Sequence, residues 1–263
     1  MFKSIALFRF KKSSKPFKDY YSKWFKTLKN VHLPQLRHAM SSSSTAGPIF
    51  LASHVEVMHR HFLNYYEALD LAAANDVAQV LFPDWRNSFE KPFLWLGDLH
   101  PYLFINLLRS FLGDDSESEF DPEIFDKQQN WHVVMAWKSR SKKLTTRVDQ
   151  IECGLRLMVP ALVARARDAQ AAFVEKVAGE WGRFEGKKEE MKGVVVEAAA
   201  AEMEELVGVF VDANRLRRSV LSDILSVTDV YQAAVFLEGL AQFLVGLRNR
   251  ELVRQFEKCS LEL

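Results

Sequence analysis

Cysteine is almost missing from this chain: of 263 residues, Cys153 and Cys259 are the two present. Two thiols supply neither a disulfide framework nor a four-thiolate metal site, so free thiols in a reducing compartment are the simpler expectation. Glycine (eleven) and proline (eight) are also scarce for the length, which argues against a turn-rich β fold and for long helices. No Asn-x-Ser/Thr acceptor occurs. No stretch approaches the roughly 20 apolar residues of a membrane-spanning helix. The apolar run Ile5-Ala6-Leu7-Phe8 is too short for a signal-peptide core and is cut by Arg9. Gly-x-Ser-x-Gly, a phosphate-binding glycine loop and a kinase signature are all absent from the sequence, and nothing in it invites a catalytic assignment. The expectation is a non-enzymatic, non-secreted protein, cytosolic, nuclear or held peripherally on a membrane.

What is present is a helix-forming chain of 48% hydrophobic residues with a mean hydropathy of −0.12, the balance of a folded domain with a sizeable core. Phe17, Tyr20, Tyr21, Trp24, Phe25, Leu28 and Val31 recur at three- and four-residue spacing, predicting an amphipathic helix over 16–39 that Pro34 kinks or ends early. Ser41 to Pro48 reads as a polar linker. A second stripe (Leu51, Val55, Met58, Phe62, Tyr65, Leu69) predicts a helix from Ile49 to Ala74. From Trp131 helix resumes, with a kink expected at Pro160. Gly182 and Gly186 mark a turn, Met191 to Val211 is a further helix, and Ser222 or Asp223 is placed as the cap of a last helix reaching Phe256. No strand alternation and no 20-to-50-residue repeat is visible. The expected architecture is all-α: a single helical bundle of long, partly kinked helices over 16–258, preceded by a basic, aromatic tail over 1–15.

The net charge of +1 conceals segregation. The first thirty residues hold nine cations against Asp19 alone. Within the tail, Lys3, Arg9, Lys11, Lys12 and Lys15 mingle with Phe2, Ile5, Leu7, Phe8 and Phe10, a composition suited to an anionic membrane surface, at roughly 1 kcal/mol per cation. A disordered leader is the plainer alternative. Seven acids and no base fall between Asp114 and Asp126; Asp114, Asp115, Glu117 and Glu119 make this segment a candidate partner surface, with loose pairing to the basic run Lys138–Arg147 as the competing reading.

The densest signal is Lys91-Pro92-Phe93-Leu94-Trp95-Leu96-Gly97-Asp98-Leu99-His100-Pro101, followed by the apolar run Tyr102 to Leu108. Gly97 permits φ > 0 where a first helix must stop, and Pro101 suits the first turn of the next. Trp95 and Phe104 are therefore expected on two helices meeting at a buried central corner. This segment resembles one of the plant Delay-of-Germination domain family, whose members carry apolar-Trp-apolar-Gly-Gly-x-Arg-Pro-Ser-x-Phe. Trp95, Gly97 and Pro101 match, whereas Asp98, His100 and Tyr102 depart from the Gly, Arg and Ser of the pattern. The opening helix with Phe17 and Trp24, the segment Leu36-Arg37-His38-Ala39, and Gln232 to Ala241 near the C-terminus are similar to the same family. The first residues most resemble its pollen-aperture branch. The resemblance implies an adaptor that marks plasma-membrane patches where pollen-wall exine is withheld, working with protein partners such as another aperture factor, and able to form homo-oligomers. The alternative it implies is a nuclear or cytosolic regulator in transcription or seed dormancy.

Cofactors are not expected. His54, His59 and His61 do not converge at helical spacing, since His54 and His61 share a face that His59 does not. The resemblance includes members that bind haem through late histidines, but this chain has none after His132. Glu189, Glu190, Glu202, Glu204 and Glu205 read as a solvated face with lysine partners. The related transcription factors read DNA through a basic region feeding a leucine zipper. No heptad run long enough to dimerise is present here, so direct DNA binding is not expected.

Overall fold

In a computed structural model of the chain, residues 17–113, 131–138, 142–184 and 187–259 are described. The tail residues Lys3, Arg9, Lys11, Lys12 and Lys15 and the acidic residues Asp114, Asp115, Glu117 and Glu119 lie outside them. The architecture is all-α. Helix α1 (Phe17–Thr27) buries Phe17, Tyr21 and Trp24 and passes through one π-helical turn, Leu28–His32, into α2 (Leu33–Asn75). Pro34 therefore ends nothing. It sits in the first turn of α2 directly after the π turn, where its missing N–H is tolerated.

The expected linker at 41–48 is also corrected. Helix continues through it and breaks at Gly47, whose φ of 76° and ψ of 167° are non-helical, just before Pro48. The Ser41 hydroxyl donates to the Arg37 carbonyl at 3.1 Å, so this serine bonds the helix it sits on instead of competing with it. Beyond the break, Leu51, Met58, Phe62, Tyr65 and Leu69 are buried.

Asp76 caps α3 (Val77–Leu81), its carboxylate accepting from the backbone N–H groups of Ala78 and Gln79. A short antiparallel hairpin follows, β1 (Leu94–Trp95) and β2 (Asp98–Leu99), with Leu94 opposite Leu99 and Trp95 opposite Asp98. Then come α4 (Tyr102–Gly113), α5 (Trp131–Val134), α6 (Lys142–Trp181), α7 (Lys188–Val227), α8 (Val230–Gly246) and α9 (Arg250–Cys259). Helices α6 and α7, about 60 Å each at 1.5 Å per residue, pair antiparallel. The ion pairs Arg147–Asp223, Arg165–Asp212 and Lys176–Glu197 mark successive rungs. Pro160 lies inside α6.

The last helix is not capped at Ser222 or Asp223. Both lie within α7, where buried Val220, Leu221 and Ile224 hold the helix on course. Asp229 begins α8 with a full capping box, its carboxylate accepting from the Gln232 N–H while the Gln232 side chain accepts from the Asp229 N–H. Helix α8 itself ends at Gly246, and Asn249 restarts the chain as α9 by accepting from the N–H of Glu251 at 2.9 Å. One continuous apolar core joins α1, α2, the hairpin, α4, α6, α7 and α8. Among the described residues no single helix is long and apolar enough to cross a membrane.

Candidate functional site

The segment around Trp95 is a two-residue turn, which corrects the expected helix–corner–helix. Leu96 and Gly97 both have positive φ, 43° and 83°, the requirement of a type I′ hairpin. Glycine meets it without cost; leucine at this conformation carries strain. A Cβ on Gly97 would also lie 2.8 Å from Cε2 of Phe210 and collide with the Val80 carbonyl. The hairpin is thus pressed between α3 and α7, and Gly97 is required by conformation and by space alike. Pro101 is buried immediately before α4. Trp95 is half-buried rather than central, with its ring 5.3 Å from the Arg217 guanidinium.

Two wholly buried arginines hold the turn in place. Arg217 of α7 donates through Nε to the Leu99 carbonyl at 2.7 Å and through Nη2 to the carbonyls of Trp95, Leu96 and Asp98. Its Nη1 donates to Asn214 Oδ1 at 2.7 Å, and the Asn214 amide donates to Asp70 at 2.8 Å. Arg218 pairs with the other Asp70 oxygen at 2.9 Å. One guanidinium thus serves four hairpin carbonyls, a task its rigid fork of donors suits better than a lysine would.

Arg86, in the loop after α3, is the second. Its Nη1 donates to the Tyr21 hydroxyl and to Glu90, its Nη2 to the Tyr65 hydroxyl and, at 2.6 Å, to Asp98. Side-chain exposure of Arg86, Glu90 and Asp98 is 2% or less. Such charges are tolerable away from water only when paired and hydrogen-bonded, and here two cations face two carboxylates. Burial works against the charge on Arg86, but the surrounding Tyr65, Tyr21, Asp98 and Glu90 outweigh it and hold its pKa well above the ordinary value. Burial lowers that of Arg217, with Asp98 opposing. Burial also pushes the Tyr21 hydroxyl up to about 12, against the pull of Arg86.

Trp24 closes the other side of this cluster. Its indole N–H donates to the His61 carbonyl at 3.0 Å, and its ring stacks on His61 and on Tyr65, centroids 5.0 and 4.4 Å away. His61 Nε2 returns a bond to the Trp24 carbonyl at 3.1 Å. Burial, with His32 alongside, lowers His61 to about 4. His59 meets Ser222 at 3.2 Å, and His54 meets the Phe50 carbonyl at 3.0 Å. The three histidines thus have separate partners, and among the described residues no group of three or more metal-ligating side chains forms. Glu189 and Glu190 are exposed near the start of α7. Cys153 and Cys259 are free and exposed.

The open space enclosed by Tyr21, Tyr65, Arg86, Asp98 and Leu99 is about 10 Å³, room for one water and no substrate. This arrangement positions helices: most of its polar groups bond to one another, while Arg86 Nε, Asp98 Oδ2 and the Trp95 indole N–H are buried without a protein partner. Sequence reasoning singled out Trp24, Trp95, Gly97 and Pro101, expected Trp95 on a helix, and missed Arg86, Glu90, Asn214 and Arg217. A signal for Arg217 existed, since it lies in helical phase with buried Phe210, Ala213, Val220 and Ile224.

Residues 32–110, from the end of the π turn to α4, match the family described as DOG1, seed dormancy control. The whole chain is similar to Protein INAPERTURATE POLLEN1 of Arabidopsis thaliana, 48% identical over 98% of each chain. It is similar to Protein INAPERTURATE POLLEN 1 homolog of Oryza sativa subsp. japonica, 35% identical over 93% of this chain and 90% of the relative. Protein ZW2 of Arabidopsis thaliana is 23% identical over 90% and 96%. The chain belongs to the Delay-of-Germination family, in the branch that contains the Inaperturate Pollen proteins.

Proposed function

We propose that this protein takes part in forming pollen apertures, as a non-enzymatic adaptor that marks plasma-membrane domains where exine deposition is withheld. The observation that carries this reading is the end-to-end similarity, 48% over 98% of both chains, to a protein whose name denotes pollen without apertures. A likeness that runs through every described helix supports a shared whole-chain role rather than a shared module.

The adaptor reading draws on the closed state of the buried polar cluster, whose space of about 10 Å³ admits no substrate. In this reading the protein is cytoplasmic and associates peripherally with the plasma membrane. Lys3, Arg9, Lys11, Lys12 and Lys15 attract the anionic lipid surface with about 5 kcal/mol in all, a reversible and salt-sensitive contact. A stable patch then needs a second hold from a membrane-bound protein partner, for which Asp114, Asp115, Glu117 and Glu119 offer the charge. A second reading, a nuclear or cytosolic regulator, is favoured by the family's description as seed dormancy control.

A fluorescent fusion expressed in pollen of an aperture-lacking plant tests both. Restored apertures with fluorescence gathered at discrete membrane patches are expected. Diffuse nuclear fluorescence with no rescue would overturn the membrane reading in favour of the regulator. A chain beginning at Pro16 that rescues and localises as well as the full chain would remove the tail from the mechanism.

A further inference from the structure

One face of the bundle carries a concentration of cations that its own acids do not answer. Ser22, Phe25 and Lys26 of α1, with Lys29 and Asn30 of the π turn, form one wall of a groove of about 640 Å³. Arg248, the residues Arg250, Val253 and Arg254 at the start of α9, and Asn87 line the rest of it. Five cations line this space and no carboxylate does.

Elsewhere the described arginines are mostly answered. Arg37, Arg60, Arg109, Arg156, Arg165 and Arg215 each lie within 3 Å of a carboxylate. In the groove, Lys26, Lys29, Arg250 and Arg254 have no carboxylate within ion-pair distance among the described residues. Arg248 comes no nearer than 3.7 Å to a Glu90 oxygen already engaged by the Asn87 N–H, and its Nη1 makes no hydrogen bond.

The fold holds these charges together deliberately. Arg248 lies over the rings of Tyr21 and Phe25, 5.1 Å from each. The start of α9 is fixed by the Asn249 cap and its end by a 2.7 Å bond from Ser88 to Glu257 and by Phe256 against Phe89. Arg250 and Arg254 stand four residues apart on one helix, and Lys26 and Lys29 three apart, spacings at which like charges repel. A local conflict of this kind, kept on rigid elements around a concave space, is what a binding site requires.

We propose that this groove binds a compact ligand carrying several phosphates, of the inositol polyphosphate class, whether as a free molecule or as the headgroup of a membrane lipid. The volume is that of a small-molecule site. Arg250 and Arg254 offer bidentate donors to phosphate oxygens, and the partly buried Arg248 and two ammoniums add charge. Ser22, Asn30 and Asn87 supply neutral hydrogen bonds, while Phe25 and Val253 form a patch for a carbon ring. Five charges within one such space call for a dense anion rather than an extended acidic chain, which carries at most one charge per roughly 3.3 Å. The proposal rests on neither the tail nor the aperture role, and its failure would leave both intact.

The test is titration of the full chain with inositol hexakisphosphate at about 150 mM salt, beside sedimentation with phosphatidylcholine vesicles containing either a phosphoinositide bisphosphate or phosphatidylserine. Saturable one-to-one binding with a Kd of roughly micromolar order is expected. The double variant Lys26→Glu/Arg254→Glu should weaken it at least about tenfold with an unchanged far-UV spectrum, because both side chains are exposed. Lys187→Glu/Lys188→Glu makes the same change of net charge at the start of α7, outside the groove lining, and should leave affinity unchanged. Binding to phosphoinositide vesicles in preference to phosphatidylserine ones, competed by the free phosphate, assigns the lipid headgroup; binding of the free phosphate alone assigns a soluble ligand. Absence of saturation up to about 1 mM, equal loss in the two double variants, or tighter binding of a glutamate-rich peptide than of inositol hexakisphosphate would each overturn the proposal.

Discussion

Replacing Arg217 with methionine removes the one side chain among the described residues that serves the hairpin carbonyls, and its cost follows from counting what is left behind. Leu99, Trp95, Leu96 and Asp98 lose a charged donor through their carbonyls, and Asn214 loses one through its side chain. The β1–β2 pairing supplies alternatives for some of these. Two orphaned buried acceptors at roughly 1–3 kcal/mol each give a loss of about 4 kcal/mol. A second route agrees: breaking a buried charge network by removing one member costs about 3–5 kcal/mol. Set against a typical total of about 5–15 kcal/mol, Arg217→Met should stay folded in buffer and unfold at a much lower urea concentration. Arg217→Lys keeps the charge, but one ammonium cannot span acceptors reached by three nitrogens, so about half the loss should remain. The assay is urea unfolding followed by tryptophan fluorescence and far-UV circular dichroism together, with hydrogen exchange at residues 94–99 as the local readout. A loss below about 1 kcal/mol for Arg217→Met would refute the clamp. Equal losses for Met and Lys would show that packing, not hydrogen bonding, was being measured.

Gly97→Ala should cost at least about 2 kcal/mol, from the left-handed conformation and from a Cβ held 2.8 Å from Phe210; thermal unfolding within error of wild type would contradict the turn geometry. Acid should weaken the fold through His61. Its folded pKa of about 4 lies below the ordinary 6.5, so the unfolded chain binds more protons between these values and stability falls as pH drops through that window. Allowing for the partial exposure of the ring, the contribution lost between pH 7 and 5 is on the order of 1 kcal/mol. His32 and His59, both lowered by burial, act in the same direction. His61→Gln should flatten the slope; an unchanged slope would place the acid sensitivity elsewhere.

How much of this was legible in the sequence differs by element. The three-and-four spacing of Phe17, Tyr21, Trp24 and Leu28 fixed both the helix and the face it buries, because a core-facing stripe cannot arise otherwise in an amphipathic helix. The 41–48 segment misled because serine is a weak helix former in general, yet Ser41 bonds its own helix and the break waits for Gly47. The Asp229–Gln232 box was readable as a start signal, but Ser222 and Asp223 competed for the same role and the buried positions around them decided against it. Leu96-Gly97 was read as a helix stop because glycine's positive φ serves a C-cap and a type I′ turn equally well. What separates the two is Arg217, more than a hundred residues away, and no local pattern carries that. The buried arginines were harder to read: the helical phase of Arg217 marks it as buried, but its acceptors lie in the distant hairpin, and Arg86, although Glu90 is only four residues on, sits in a loop with no period to show burial.

Helix α1 is where the structural and the proposed binding roles meet. One face carries Phe17, Tyr21 and Trp24 into the aromatic cluster around Arg86; another presents Ser22, Phe25 and Lys26 to the groove. The Phe17 N–H is itself held by the Gln79 side chain at 3.2 Å, which fixes the start of this same helix. Glu90 ties the two faces together. It accepts from Tyr21 and Arg86 on the inner side and faces Arg248 on the outer. Bringing a dense anion to Arg248 would draw its guanidinium from Glu90 toward the groove, and Glu90 would then be left to Arg86, Tyr21 and the Asn87 N–H. Because Arg86 also grips Asp98 in the hairpin turn, ligand at the surface and geometry at the turn share one chain of charges: groove, Arg248, Glu90, Arg86, Asp98. If the groove is a ligand site, occupancy should therefore alter exchange protection at 94–99, and Glu90→Gln, which weakens the link without emptying the core, should leave binding in place while removing that distant effect.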